Sequence, residues 1–130
     1  MVDRLIADLV RGLGGMPHQV QRLARRATMG LARTGSTSGN GSGDIFIAFS
    51  TANPNTATGR GPVNVSMLPN DAMNPVFEAT VQATEEAIVN AMVGAETMSG
   101  AHGSKVVALP HEELRYVLKK YNRLAVPVRQ

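Results

Sequence analysis

Ser42 and Asp44 stand two residues apart in Asn40-Gly41-Ser42-Gly43-Asp44, immediately ahead of the apolar run Ile45-Phe46-Ile47-Ala48-Phe49. Side chains alternate faces in extended backbone. A hydroxyl and a carboxylate at i and i+2 therefore share one face, about 6.6 Å apart along the strand. Such a pair can line one wall of an active site. The hydroxyl can hold or pass a proton for a nucleophile, and the carboxylate can orient it or attract a substrate ammonium group. The flanking Gly41 and Gly43 would let a substrate backbone come close, with Asn40 beside them as a further substrate-binding candidate. Spacing by itself favours the plainer reading, a Gly/Ser loop with Asp44 as a turn residue.

Other residues offer less chemistry. His18, His102 and His111 have no ligand-like spacing, and two of them follow a proline at a helix start, so no metal site is expected. No cysteine is present, which removes disulfides, thiolate ligands and a thiol nucleophile. Arg22, Arg25, Arg26 and Arg33 lack interleaved aromatic residues on which bases would stack. A solvated helix face, or contact with acidic residues elsewhere, is the favoured role for these arginines. Ser50, Thr51 and Asn53 either line a pocket at the strand's end or form its polar terminus. Met29, Met92 and Met98 read as packing residues.

The elements that must position these groups follow from periodicity. Residues 1–15 carry Leu5, Ile6, Leu9, Val10 and Leu13 at helical spacing. A second helix is expected from Pro17 to about Arg33, with Val20, Leu23, Ala24, Ala27 and Leu31 as its apolar stripe and Gly35 as its stop. Gly35–Gly43 has the composition of a flexible linker. Asp44–Thr51 reads as a strand buried on both faces. The long irregular stretch that follows holds Pro54, Pro62 and Pro69, with a possible short strand at Val63–Val65. Asn74 is expected to cap a long helix running to about Met98, with Phe77, Val81, Thr84, Ile88, Ala91, Met92 and Ala95 on one side and Gly100 and Gly103 closing it. Val106–Leu109 reads as a short strand. The last helix begins at Pro110, with Glu112 and Glu113 in its first turn, Lys119 and Lys120 in its last, and Leu114, Val117, Leu118 and Tyr121 as a buried stripe. Two or three strands among four helices make an α/β or α+β chain with too few strands for a sheet of its own.

The bulk composition agrees with one domain's worth of chain. The 130 residues are 43% hydrophobic but only 4% aromatic, so a core must be aliphatic. The net charge of +3 is unevenly spread: +4 over residues 1–43, −5 over 44–103 and +4 over 104–130. An acidic middle argues against a general phosphate-binding surface, and nucleic acid is not an expected partner. No apolar run approaches the length of a membrane span, and residues 1–15 lack the pattern of a signal peptide. No membrane partner is expected, and a cytoplasmic location is.

Met16–Pro54 (MPHQVQRLARRATMGLARTGSTSGNGSGDIFIAFSTANP), together with Asn90–Gly100 (NAMVGAETMSG) and Ala108–Leu124 (ALPHEELRYVLKKYNRL), resembles the β-subunit of the L-aminopeptidase/D-esterase, or DmpA-like, serine peptidases. The resemblance covers residues 16–124, with 1–15 as a non-family helical segment and 125–130 as a tail. It implies a partial α-β-β-α layered sandwich of the N-terminal-nucleophile-hydrolase type. It also implies hydrolysis of the bond after an N-terminal residue in peptides, amides or esters, with no cofactor. In such enzymes a precursor cleaves itself before a Ser that becomes the nucleophile, and the groups matching Ser42 and Asp44 assist it. The family's nucleophile would fall near Arg4, and no Ser precedes Ser36. The expectation is a chain without its own nucleophile or α-subunit, inactive by itself, with an α-subunit-like chain or further copies of itself as partners. The competing reading is a non-catalytic module that docks on such a partner or on itself.

Overall fold

The computed structural model describes residues 15–54, 56 and 60–125. The helix expected over residues 1–15 lies, but for Gly15, outside the described residues. Backbone packing divides the chain into one unit ending at Ile88 and another beginning at Val89.

The first unit is organised around two helices. Helix α1, Pro17–Arg33, forms where the sequence predicts it. Pro17 sits in the first turn, where a missing N–H costs nothing. Gln19 Oε1 accepts from the Met16 N–H at 3.2 Å, satisfying a donor that the helix start leaves open. At the other end the Thr34 hydroxyl donates to Leu31 O at 2.7 Å, and Gly35 takes a left-handed φ of +96° that ends the helix. Helix α2, Asn74–Gly94, continues directly from a short 3-10 turn, Asn70–Met73. Asn74 is therefore not a cap: its φ/ψ of −58°/−47° is already helical because the preceding turn supplies the first ring of hydrogen bonds.

The two helices meet along only part of the predicted stripes: Phe77, Val81 and Thr84 are buried, whereas Ala91, Met92 and Ala95 at the far end of the stripe expected for α2 are exposed. Leu23, Met73 and Phe77 form the buried cluster, with Val20, Leu68 and Val76 packed on it, and Ala27 and Val81 are buried as well. Thr80 and Thr84 are buried polar residues whose hydroxyls donate one turn back, to Val76 O at 2.7 Å and Thr80 O at 2.8 Å. Gly30 is what lets the helices approach. A methyl group at that position would lie 2.6 Å from both Thr84 Cβ and Val81 O. Gln19 is 0% exposed. Its amide nitrogen donates to Leu68 O at 2.7 Å and faces Asn70 Oδ1 at 3.4 Å, tying α1 to the turn that launches α2.

The strand expected at Asp44–Thr51 is not in a sheet: among the described residues neither this segment nor Val63–Val65 joins a ladder. The period-2 pattern is real, since Phe46, Ala48 and Ser50 are half-buried. Ile45, Ile47 and Phe49, however, are 82%, 73% and 56% exposed. Burial on both faces fails because one face has nothing described to lie against.

The second unit contains the end of α2, a small hairpin and a third helix. Helix α2 stops at Gly94, short of the expected Met98, and Met98 instead opens strand β1. Strand β1 (Met98–Ser99) pairs antiparallel with β2 (Lys105–Val106), in the register Met98 to Val106 and Ser99 to Lys105. His102 and Gly103 turn the chain with left-handed φ values of +57° and +77°, so the glycines expected to close a helix serve a hairpin. Strand β2 ends at Val106, earlier than the expected Leu109. Helix α3, His111–Lys120, has its acidic start and basic end as predicted. Asn122, at φ +54°, ends it, and the Arg123 N–H reaches back to Leu118 O at 2.8 Å. Its apolar stripe is not buried. Val117 and Tyr121 are exposed and Leu114 and Leu118 half-buried, because a two-by-two hairpin offers too little surface to cover a helix face.

Candidate functional site

The structure brings Ser42 and Asp44 together, and local backbone does it. The Ser42 N–H donates to Gly39 O at 2.8 Å, closing a turn with Asn40 and Gly41 at its centre. Ser38, at φ +46°, and Gly35 bend the chain ahead of this turn, so the Gly/Ser stretch carries defined turns where its composition suggested a flexible linker. Past the turn the Ser42 hydroxyl donates to Asp44 Oδ2, and the Asp44 N–H faces Ser42 Oγ at 3.4 Å. The pair thus shares one side of the backbone, as the i, i+2 spacing predicts.

The arrangement fixes what the pair can do. With its hydrogen held by the carboxylate, Ser42 Oγ, which also faces the Asp44 N–H, can serve as an acceptor for a proton arriving from another group. Asp44 is exposed, and its second carboxylate oxygen has no hydrogen bond among the described residues, so it can attract an ammonium group. Both residues are exposed, as are Asn40, Gly41 and Gly43, and nothing described stands within 4 Å of where a side chain would begin at either glycine. Ligand backbone therefore has room to approach. Among the described residues, no third chemistry-bearing side chain hydrogen-bonds to the pair.

A cavity of about 470 Å³ lies in the same unit, lined chiefly by Met16, Val20, Phe49, Ser50, Asn53 and Val65. Of the three polar residues expected near such a pocket, Ser50 and Asn53 line it and Thr51 does not. Asn53 has a structural task besides. Its side chain donates to Ser66 O at 3.0 Å and accepts from Ser66 N–H at 2.7 Å, tying the bend at Asn53 to the stretch around Ser66. Sequence reasoning missed this clamp, because an asparagine among prolines carries the ordinary signature of a turn. Val20 was missed as lining because its helical position marks it as core, and Met16 because it lies just ahead of the helix and carries no polar group.

The remaining candidates are dispersed. His111 Nε2 lies 2.9 Å from Val93 O, a local contact at the start of α3, and among the described residues no three His, Asp or Glu side chains converge. No helix among the described residues is long and apolar enough to cross a membrane. Arg33 pairs with Glu85 at 3.1 Å, an acidic residue of the middle third.

Comparison with known proteins places these features in context. The model of peptidase family S58 matches residues 15–106, a span that includes the Ser42–Asp44 pair and the cavity. A β-peptidyl aminopeptidase of Sphingosinicella microcystinivorans is 53% identical over 85% of this chain and 28% of its own length. Among solved structures, the L-aminopeptidase D-Ala-esterase/amidase of Ochrobactrum anthropi, described as a variant of the Ntn-hydrolase fold, superposes with a TM-score of 0.77. It is 48% identical, over 87% of this chain and 32% of that one. A Burkholderia β-aminopeptidase gives a TM-score of 0.72 at 37% identity, over 90% of this chain and 33% of its own. The chain thus spans about a third or less of each relative, and it carries part of an Ntn-hydrolase-like fold, among the described residues mostly helical with one small two-stranded sheet.

Proposed function

The chain belongs to peptidase family S58, and from that we propose that it supplies the proton-handling Ser42–Asp44 pair of a self-processing serine aminopeptidase. The reaction is removal of an N-terminal residue from peptides, amides or esters through an acyl-enzyme on a serine. The observation that carries this reading is the hydrogen bond from the Ser42 hydroxyl to the Asp44 carboxylate, exposed and flanked by glycines. Ser42 receives or relays the nucleophile's proton, while Asp44 orients that hydroxyl and attracts the substrate ammonium. Asn40, Gly41 and Gly43 admit the substrate backbone. The nucleophile and the remaining layers of an α-β-β-α sandwich come from the rest of a family-length protein. That assignment is supported by the absence of Ser from residues 1–35 and by a span of 28% of a curated relative.

The test is a graft. Residues 16–124 replace the matching region of an active family member, and hydrolysis of amino-acid p-nitroanilides is followed. The graft is expected to be active, and Ser42→Ala or Asp44→Asn to lower kcat/KM by roughly 10²–10⁴-fold. The 130-residue chain by itself is expected to give no turnover. Full activity of grafted Ser42→Ala, or turnover by the chain with covalent labelling of one of its serines, would refute the assignment. A second reading, a non-catalytic docking module, is favoured by one observation: the exposed row Ile45, Ile47 and Phe49. It predicts an inactive graft and tight association with an α-subunit-like chain.

A further inference from the structure

One charged cluster is left unused by the proposed chemistry. Arg22 and Arg26, one turn apart on α1, both place their guanidinium groups over the same aromatic ring, that of Phe77, at 4.9 and 4.0 Å from its centroid. Their side chains are held in place further: Arg22 Nη1 donates to Asn70 Oδ1 at 3.0 Å, and Arg26 Nη1 donates to Arg22 O at 3.1 Å. Asn70 Oδ1 also faces Gln19 Nε2, so the amide that grips Arg22 is itself anchored to a fully buried side chain.

Every group in this scaffold is neutral. Arg33, on the same helix, has Glu85 as its partner, but among the described residues neither Arg22 nor Arg26 forms an ion pair. Asp71 follows Asn70 in the chain and hydrogen-bonds to neither arginine. The two cations stand no farther apart than the sum of their distances to the shared centroid. They repel at that range, and the face of a single ring offsets only part of the repulsion. Each guanidinium carries five N–H donors, of which one on each is engaged. Two unneutralised cations, ordered and rich in spare donors, match an anion with several acceptor edges and more than one negative charge.

We infer that Arg22 and Arg26, braced by Phe77 and Asn70, form a binding site for a phosphate group, either inorganic phosphate or a phosphate monoester. A carboxylate satisfies one fork and one charge; a phosphate dianion can accept from both forks at once.

The experiment titrates the full 130-residue chain at low ionic strength with inorganic phosphate, phenyl phosphate and acetate, read by calorimetry and by ³¹P resonance position for the phosphates. Saturable phosphate binding is expected, with acetate much weaker. Phenyl phosphate binding as well as or better than inorganic phosphate identifies a monoester site, and the reverse order identifies a free-phosphate site. Arg22→Ala and Arg26→Ala are each expected to weaken binding about tenfold or more. Arg25→Ala removes an equal charge from an exposed position on the same helix and is expected to change affinity less than about twofold. Arg22→Lys and Arg26→Lys retain charge and aliphatic stem, and they serve if an alanine variant loses helicity by circular dichroism. They too are expected to weaken binding, through loss of the fork. Absence of saturable phosphate binding, equal loss from Arg25→Ala, or acetate binding as tightly as phosphate would each overturn the assignment.

Discussion

Helix α1 and the segment Asp44–Thr51 are neighbours in sequence, and each carries a strong apolar pattern, yet they reach opposite ends. The stripe of α1 is covered by α2, while Ile45, Ile47 and Phe49 face solvent. A helix satisfies its backbone internally and needs only one covered face. An extended segment needs a laddered neighbour as well as cover for each apolar face. Within this chain the first requirement is met by two helices and a glycine. The second is not met among the described residues, and the chain spans only about a third or less of its relatives' length.

The sharpest way to break the ordered side of that comparison is at Gly30. In an open helix Gly→Ala stabilises by up to about 1 kcal/mol. Here the new methyl would meet Thr84 Cβ and the Val81 carbonyl at 2.6 Å. Backbone cannot move aside as a flexible side-chain end does, so Gly30→Ala is expected to destabilise by about 1–3 kcal/mol. Urea denaturation followed at 222 nm measures it, and a stabilised variant would show that the helices separate easily.

Gln19→Leu comes next. Leucine fills a similar volume but offers no donor to Leu68 O and no acceptor to Met16 N–H. A backbone carbonyl left unpaired in partly buried surroundings costs roughly 1–3 kcal/mol. The same denaturation curve should place the loss toward the lower end, since burial of the leucine offsets part of it.

How far the sequence revealed these arrangements depends on whether the cause is local. Helix α1, its stop at Gly35, the charged ends of α3 and the Ser42–Asp44 juxtaposition depend on spacing, prolines and glycines within a few residues, and all were readable. Gln19 as a buried tie, Asn53 as a clamp on Ser66 and Gly30 as a contact point each depend on a partner 13 or more residues away. Residue type gave no sign of them. Helix α2 was read too long because Met98 continues the helical spacing, whereas pairing with Val106 draws it into a hairpin. The strand at Asp44–Thr51 was legible as a pattern, but pattern cannot say whether a covering layer is present.

A smaller effect tests the surface of the helix pair. Arg33 and Glu85 join α1 to α2 at 3.1 Å, with side chains 52% and 39% exposed. A double-mutant cycle with Arg33→Ala and Glu85→Ala is expected to yield a coupling of about 0.2–1 kcal/mol, shrinking as salt is raised to 1 M. A coupling that is large and insensitive to salt would place the pair in a drier setting than its exposure indicates.

The smallest expected change in stability is at Ile47, and it is the most telling for the comparison. At 73% exposure Ile47 contributes little packing to the fold of this chain, so Ile47→Lys should alter unfolding free energy by no more than about 0.5 kcal/mol. Its effect should appear elsewhere. Exposed, unladdered apolar residues invite pairing between chains, and a lysine in such a row opposes it through charge and desolvation. Light scattering at micromolar concentration should show the parent chain associating and the variant shifted toward monomer. If the grafted enzyme supplies the proposed covering layers, the same lysine would be forced against apolar neighbours. There it should cost several-fold in yield of folded protein while costing the isolated chain almost nothing. Equal tolerance in both settings would mean that the apolar face of Asp44–Thr51 is never covered, and that its pattern has some cause other than a layer waiting to be packed.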